Sequence, residues 1–530
     1  MTEPALWWRA GVIYQIYPRS FQDTNGDGVG DLRGIERRLD YLVGLGISAI
    51  WISPFYPSPM ADFGYDVADY TGVDPLFGTL GDFDSLLGAA HAKGLKVILD
   101  FVPNHTSDQH AWFLESRASR TNPKRDWYLW RDPGADGAPP NNWMSQFGGP
   151  AWTLDEATGQ WYCHSFLQEQ PDLNWRNPEV RAAIYAAMMF WLDKGVDGFR
   201  MDVLWLLIKD GLFRDNPMNP EWKPGDSTSW MVLPRYTADQ PETHLIVAEM
   251  RALMDTYTQR VLIGEIYLPL QELIAYYGTA DHLTGADMPF NFHLIQTEWN
   301  ADRIAHLITQ YESLLPVGAW PNWVLGNHDQ TRLATRLGVA QARAAAVLLL
   351  TLRGTPTMYY GDELGLPNAA IAPDQVRDPA EKNQPGIGQG RDPERSPMLW
   401  DSTRNHGFTI AAAPWLPFVD GSAELTVASE SSEPASYLAL YKTLLGIRRA
   451  HPALHSGTIG NVQANDGVLS YQRTLEGQTV EVRLNLTGDY RPIAAVRGHV
   501  LLTSYLDTAG SVEEVTGLRA NEAAVFLMVS

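Results

Sequence analysis

The chain has 530 residues, of which 45 % are hydrophobic, 19 % charged and 11 % aromatic; this is enough apolar material for a large core, with neither a low-complexity tract nor the low hydropathy of disorder. Forty Lys and Arg against 62 Asp and Glu give a formal charge of −22, whose averaged field repels phosphate backbones and anionic membranes and argues against a nucleic-acid partner. Cys163 is the only cysteine, which excludes an intrachain disulfide and a thiolate metal cluster and points to a reducing compartment.

The first residues, Met1 to Arg9, show no basic segment followed by an apolar run, and no stretch of roughly 18 apolar residues occurs anywhere. A cytoplasmic protein without membrane attachment, monomer or homodimer, is expected. Short runs rich in β-branched and aromatic residues then recur at Val12–Tyr17, Ala49–Ser53, Lys96–Val102, Gly198–Val203, Val261–Ile266, Ala286–Phe292, Trp323–Asn327 and Thr357–Tyr360. Helical apolar spacing separates them, as in Ile35–Gly44, Pro178–Lys194 and Gln341–Leu350. Eight strand-helix units predict an α/β fold, a (β/α)₈ TIM barrel over 1–103 and 175–452. The interval 104–174, dense in Trp, Asp, Pro and Gly, is too long for a simple βα connection and reads as a small inserted domain. From 453 to 530 the pattern turns to alternation with turn signals, which predicts a C-terminal antiparallel β-sandwich.

Barrel sites lie at the C-terminal strand ends, and those ends are polar here. The third run closes as Asp100-Phe-Val-Pro-Asn-His105, the fourth as Gly198-Phe-Arg-Met-Asp202, the fifth as Gly264-Glu265 and the seventh as Gly326-Asn-His-Asp329. A lone strand-end Asp is more often a helix cap, and a lone His a satisfied core residue. Four polar clusters at matched ends, with Arg200 on the same strand face as Asp202, favour catalysis. Retaining glycosidases place two carboxyl groups about 5–5.5 Å apart, one to attack and one to protonate.

These motifs, with Val12-Ile-Tyr-Gln-Ile-Tyr-Pro18, Gln170-Pro-Asp-Leu-Asn174 and Gly354-Thr-Pro-Thr-Met-Tyr-Tyr-Gly-Asp-Glu363, resemble the α-amylase family of glycoside hydrolases over nearly the whole chain, specifically its α-glucosidase and oligo-1,6-glucosidase branch. The resemblance implies that Asp202 attacks the anomeric carbon, Glu265 is the general acid/base, and Asp329 binds hydroxyls and stabilises the distorted sugar. It assigns His105 and His328 to glucose hydroxyls and Tyr65 to stacking under the glucose. Asp62 and Arg395 would close an exo-acting pocket, although Arg391 rivals Arg395 and a surface ion pair is the alternative. Phe147 and Phe166 would flank the next sugar, or form the insert's own core. Arg200 should keep Asp202 ionised, while Glu265 needs a raised pKa.

Asp23-Thr-Asn-Gly-Asp-Gly-Val-Gly-Asp31 places oxygens at alternate positions, as a calcium loop begins, with Asp23, Asn25, Asp27, Asp31 and the Val29 carbonyl as candidate ligands. Gly34 stands where an EF-hand has its bidentate Glu, and the other reading is a turn capping the next helix. The resemblance favours structural Ca²⁺ or Mg²⁺, with no organic cofactor. In relatives, Val after the nucleophile accompanies α-1,6 preference and Thr or Ala α-1,4; here it is Val203, yet Leu204-Trp-Leu-Leu207 departs from the 1,6 branch, so broad action on small α-glucosides is expected. The alternative is a transglucosylase or isomerase, such as a sucrose isomerase or trehalose synthase, although the Arg-Leu-Asp-Arg isomerisation motif is not found. A catalytically dead binding relative is disfavoured, because all three carboxylates are kept. An aldolase-like or phosphate-binding barrel lacks its Schiff-base Lys or Gly-rich loop.

Overall fold

The computed structural model describes residues 6–279, 282–508 and 512–529; the outermost residues of the expected barrel and C-terminal segments, 1–5 and 530, lie outside these. Eight parallel barrel strands occur in chain order: β1 (Ile13–Ile16), β2 (Ala49–Ile52), β3 (Lys96–Phe101), β4 (Gly198–Met201), β5 (Val261–Gly264), β6 (Met288–Pro289), β7 (Asn322–Val324) and β8 (Thr355–Tyr359). Their order is β7-β8-β1-β2-β3-β4-β5-β6, so β1 lies between the first and last halves of the chain, with Ile13 opposite both Ala49 and Thr357. Among the described residues the ring has one seam without a ladder, between β6 and β7. It is the alternation expected for a (β/α)₈ barrel.

Helices follow the strands and are bounded by local chemistry. Thr79 and Asp82 form a reciprocal capping box at the start of Leu80–Ala92. The expected helix Pro178–Lys194 forms with Asn177 accepting from the Glu179 amide, Pro178 at its first position and left-handed Gly195 at its end. Two expectations are corrected. Ile35–Gly44 is two helices, Leu32–Arg37 and Leu39–Leu45, because the backbone of Arg38 leaves helical geometry. The sixth run forms only the two-residue strand Met288–Pro289: proline donates no amide, the bonds to β5 come from the Asp287 and Phe290 amides, and Phe290 and Phe292 pack with Trp51 and Ile263. Gly198 in β4 is required for strand contact, since a Cβ there would meet the Val261 carbonyl oxygen at 2.4 Å.

Between β3 and β4 a three-stranded antiparallel sheet orders as Trp130–Arg131, Gln160–Cys163, Trp152–Asp155. It is tied to the barrel by Asp172, whose carboxylate accepts from Asn104 and Ser165 and pairs with buried Lys209 at 2.9 Å. The C-terminal antiparallel sheet is one continuous six-stranded ladder from Thr458 to Met528. Leu469, Val482 and Val525 join the main core, and Val496, Val500 and Phe526 form a separate apolar cluster.

Candidate active site

Where β4 and β5 end, their backbones continue the ladder by one more bond: the Asp202 amide donates to the Phe101 carbonyl and the Glu265 amide to the Met201 carbonyl. That step sets both side chains at the barrel mouth. Val203 then takes φ 37° and ψ 45°, a left-handed conformation rare for a β-branched residue. The strain has a local use, since the Val203 amide so turned donates to Glu265 Oε2 at 2.9 Å.

Fully buried Arg200 organises the floor. Its Nη1 donates to Asp202 Oδ1 at 2.7 Å and to Asp100 Oδ1 at 2.8 Å, and its Nη2 lies 2.8 Å from Glu265 Oε2. Three carboxylates thus share one guanidinium. Burial, with the charge of Glu265, pushes Asp202 well above the usual carboxylate range against the opposing pull of Arg200. Burial likewise raises Asp100 to about 6. Arg200 pulls Asp202 toward its ionised form, as expected, but that one cation is divided among three anions and works against their desolvation and mutual repulsion.

A hydrogen-bonded chain runs beside the floor. Gln15 Nε2 lies 2.8 Å from His328 Nδ1, which leaves the proton on Nε2, and that atom faces the Tyr65 hydroxyl at 2.6 Å. Tyr65 donates onward to Asp100 and stacks on His328 at 5.3 Å. Burial holds His328 well below its usual pKa and takes His105 down to about 4, so both are neutral near pH 7. Gln15 was legible only as part of a motif.

The pocket's closed side is built from Asp62, Asp329 and Asp378 with two arginines. Arg391 Nη2 donates to Asp62 at 2.7 Å, its Nε to Asp378 at 2.6 Å, and its Nη1 lies 3.3 Å from Asp329. Arg395 donates to Asp329 at 2.8 Å and to the His328 carbonyl, while its cation lies over Tyr17. The expected pairing of Asp62 with Arg395 is corrected: Arg391 is the partner that faces the cavity, and Arg395 stands behind Asp329. Burial opposes ionisation of Asp329, but His328, Arg391 and Arg395 outweigh it and hold its carboxyl far below the ordinary range. With His328 neutral, the two arginines supply that charge. Burial also raises Asp62, and Arg391 and Arg395 do not fully offset it.

The cavity at this mouth has a volume of about 820 Å³ and is lined by Asp202, Glu265, Asp329, Asp62, Tyr65 and the two histidines. Phe147 and Phe166 also line it, and both belong to the closed side: Arg391 lies 4.7 Å over the Phe147 ring, and Phe166 packs on His105 at 5.2 Å. Gln170, from the insert, donates to Asp62 at 3.3 Å. Asp66, not singled out by sequence, accepts from the amides of Ala61 and Asp62 and fixes the loop that carries Asp62.

The Asp23–Asp31 segment lies apart from this cavity. Asp23 accepts from the amides of Asn25, Gly26 and Gly28; Asn25 from that of Asp27; Asp27 from that of Val29; and Asp31 from that of Gly34, capping helix Leu32–Arg37. Its oxygens serve loop amides. Among the described residues no three His, Cys, Asp or Glu side chains are grouped to hold an ion.

Residues 15–457 match the family model described as alpha amylase, catalytic domain. The chain belongs to the α-amylase family of glycoside hydrolases. It is 41 % identical over 524 residues to a Rhizobium meliloti (strain 1021) protein named "Probable alpha-glucosidase", covering 94 % of each chain. It is 38 % identical to an oligo-1,6-glucosidase of Halalkalibacterium halodurans, covering 98 % of this chain and 99 % of that one. Among solved structures, an α-glucosyl transfer enzyme, XgtA, superposes with a TM-score of 0.93 at 40 % identity, covering 99 % of this chain and 100 % of its own.

Proposed function

We propose that the protein is a retaining, exo-acting α-glucosidase that releases α-glucose from the non-reducing ends of short α-glucosides of the maltose and isomaltose type, and from sucrose. The carrying observation is the arrangement of Asp202 and Glu265 on the two Nη atoms of one Arg200, in a cavity closed on one side by Asp62 and Arg391. In this reading the wall receives the terminal glucose. Asp202 attacks its anomeric carbon to give a β-glucosyl-enzyme as Glu265 protonates the departing oxygen; Glu265 then takes a proton from water, which releases α-glucose. Asp329, held ionised, stabilises the positive charge that develops on the ring. The over-supplied carboxylate floor retains the proton that the first step consumes. Buried Cys163 fits a cytoplasmic enzyme.

Transglucosylation is the second reading, favoured by the likeness to the transfer enzyme XgtA. One experiment separates the two. Wild type and Asp202→Ala are given maltose, isomaltose and sucrose, and NMR follows the first anomer released. Initial α-glucose that falls roughly 10⁴-fold in the variant is expected. Glucosyl-sugar products exceeding free glucose would select transfer, and β-glucose first would overturn retention.

We also propose a structural Ca²⁺ or Mg²⁺ at the Asp23–Asp31 turn, on the oxygens of Asp23, Asn25, Asp27 and Asp31 with the Val29 carbonyl. A chelator should lower the melting temperature and added cation restore it. An unchanged melting curve removes the proposal and leaves the self-capped turn.

A further inference from the structure

The connection from β4 to helix Pro241–Met254 is long, and residues 219–234 within it supply a large share of the cavity lining that neither Asp62 nor Arg391 closes. Trp230 stands on that lining. Its side chain is unusual in two respects: it is 64 % exposed, and among the described residues its indole makes no hydrogen bond, ring contact or cation contact.

An isolated exposed Trp is ordinary on a protein surface. This one has a fixed backbone under a free ring. Its amide donates to the Ser227 carbonyl and its carbonyl accepts from Asn219 Nδ2 at 2.9 Å. Thr228, at the start of the same short helical turn, is clamped from two other segments: its amide and hydroxyl donate to Gln384 Oε1, and its hydroxyl accepts from the Gly149 amide at 2.9 Å. Gln384 also donates to Ser227 and to Gln389. The insert, the β4 connection and the 384–391 segment therefore meet beside Trp230, and a cavity of about 820 Å³ sits toward the upper end of the ~300–1,000 Å³ typical of small-molecule sites.

We propose that Trp230 is the acceptor-side platform of this cavity, stacking under the apolar face of a pyranose ring beyond the one that carries the scissile oxygen. This rests on the α-glucosidase reading. An indole on a fixed backbone presents a large flat apolar area and has only two side-chain torsions to order, the property that makes Trp an effective anchor in recognition sites. On this proposal the two rings of a disaccharide lie on either side of the scissile oxygen and leave the indole uncovered, whereas the third ring of a trisaccharide stacks on it.

The test compares kcat/KM of wild type, Trp230→Ala and Trp230→Phe on maltose, maltotriose, isomaltose and isomaltotriose, with melting curves of each protein. Trp230→Ala should lower kcat/KM for the trisaccharides about tenfold, through KM, and leave the disaccharides within about twofold; Trp230→Phe should fall between. An unchanged trisaccharide-to-disaccharide ratio, whether both fall together or neither moves, overturns the platform. Wild type that releases glucose from none of the four overturns the α-glucosidase reading and the platform with it, a result distinct from an unchanged ratio.

Discussion

Two clusters of three carboxylates sit within the same barrel mouth and differ in how their charge is balanced. Asp100, Asp202 and Glu265 share a single guanidinium, and burial leaves Asp100 and Asp202 raised. Asp62, Asp329 and Asp378 share two, and although burial opposes it, Arg391 and Arg395 hold Asp329 and Asp378 below their ordinary range. Asp329 is partly exposed and the other five are buried, but the larger contrast is in the count of cations, one guanidinium on the floor and two in the wall. The difference separates a floor whose Asp100 and Asp202 are raised from the Asp329 and Asp378 side of the wall, whose charge is fixed, while burial raises Asp62 beside them. Acid/base work and electrostatic stabilisation are distributed in that way.

The comparison is broken most directly by neutralising one carboxylate in each cluster. Asp202→Asn should abolish turnover, roughly a 10⁴-fold loss, while leaving the melting temperature equal to wild type or above it, because it relieves repulsion on the floor. Asp329→Asn should also abolish turnover yet destabilise by about 2 kcal/mol, because Arg391 and Arg395 lose a buried partner. Equal melting shifts in calorimetry would refute the distinction.

Within the wall, the two arginines are expected to divide their work. Arg391 faces the cavity, so Arg391→Lys should cost about 10² in kcat/KM as the fork linking Asp62 and Asp378 is lost. Arg395 lines no part of the cavity, and Arg395→Lys should show mainly in the melting curve. Steady-state kinetics beside thermal denaturation decide it; a larger KM change at Arg395 would reverse the assignment.

The smallest effect concerns a buried group whose burial outweighs the opposing charge of Asp69. His110 accepts from the Trp112 amide as the cap of helix Ala111–Ala118, and burial takes it down to about 4. A base depressed in this way is protonated in the unfolded chain first, so folded stability is lost as pH falls from 6.5 towards 4, by about 2 kcal/mol at pH 5. Asn caps without titrating, so His110→Asn should gain on wild type between pH 7 and pH 5 in paired melting curves. A constant gap would exclude titration of His110 as the cause.

The barrel and the identity of its strand-end residues were legible in the sequence because both follow from short-range rules. Period-two and helical spacing mark the elements, and polar residues closing apolar runs mark the mouth. Asp202, Glu265 and Asp329 could be named in advance for that reason. Sequence could not choose Arg391 over Arg395 as the partner of Asp62, since the two lie four residues apart and only the packed loop decides which one faces the cavity. Nor could it foresee that Arg200 serves three carboxylates, or that Gln15, more than 300 residues from His328, sets its tautomer. Charge balance in a buried site depends on which distant side chains arrive at one point. Local pattern supplies the groups, and only the closed barrel determines how many cations each anion meets.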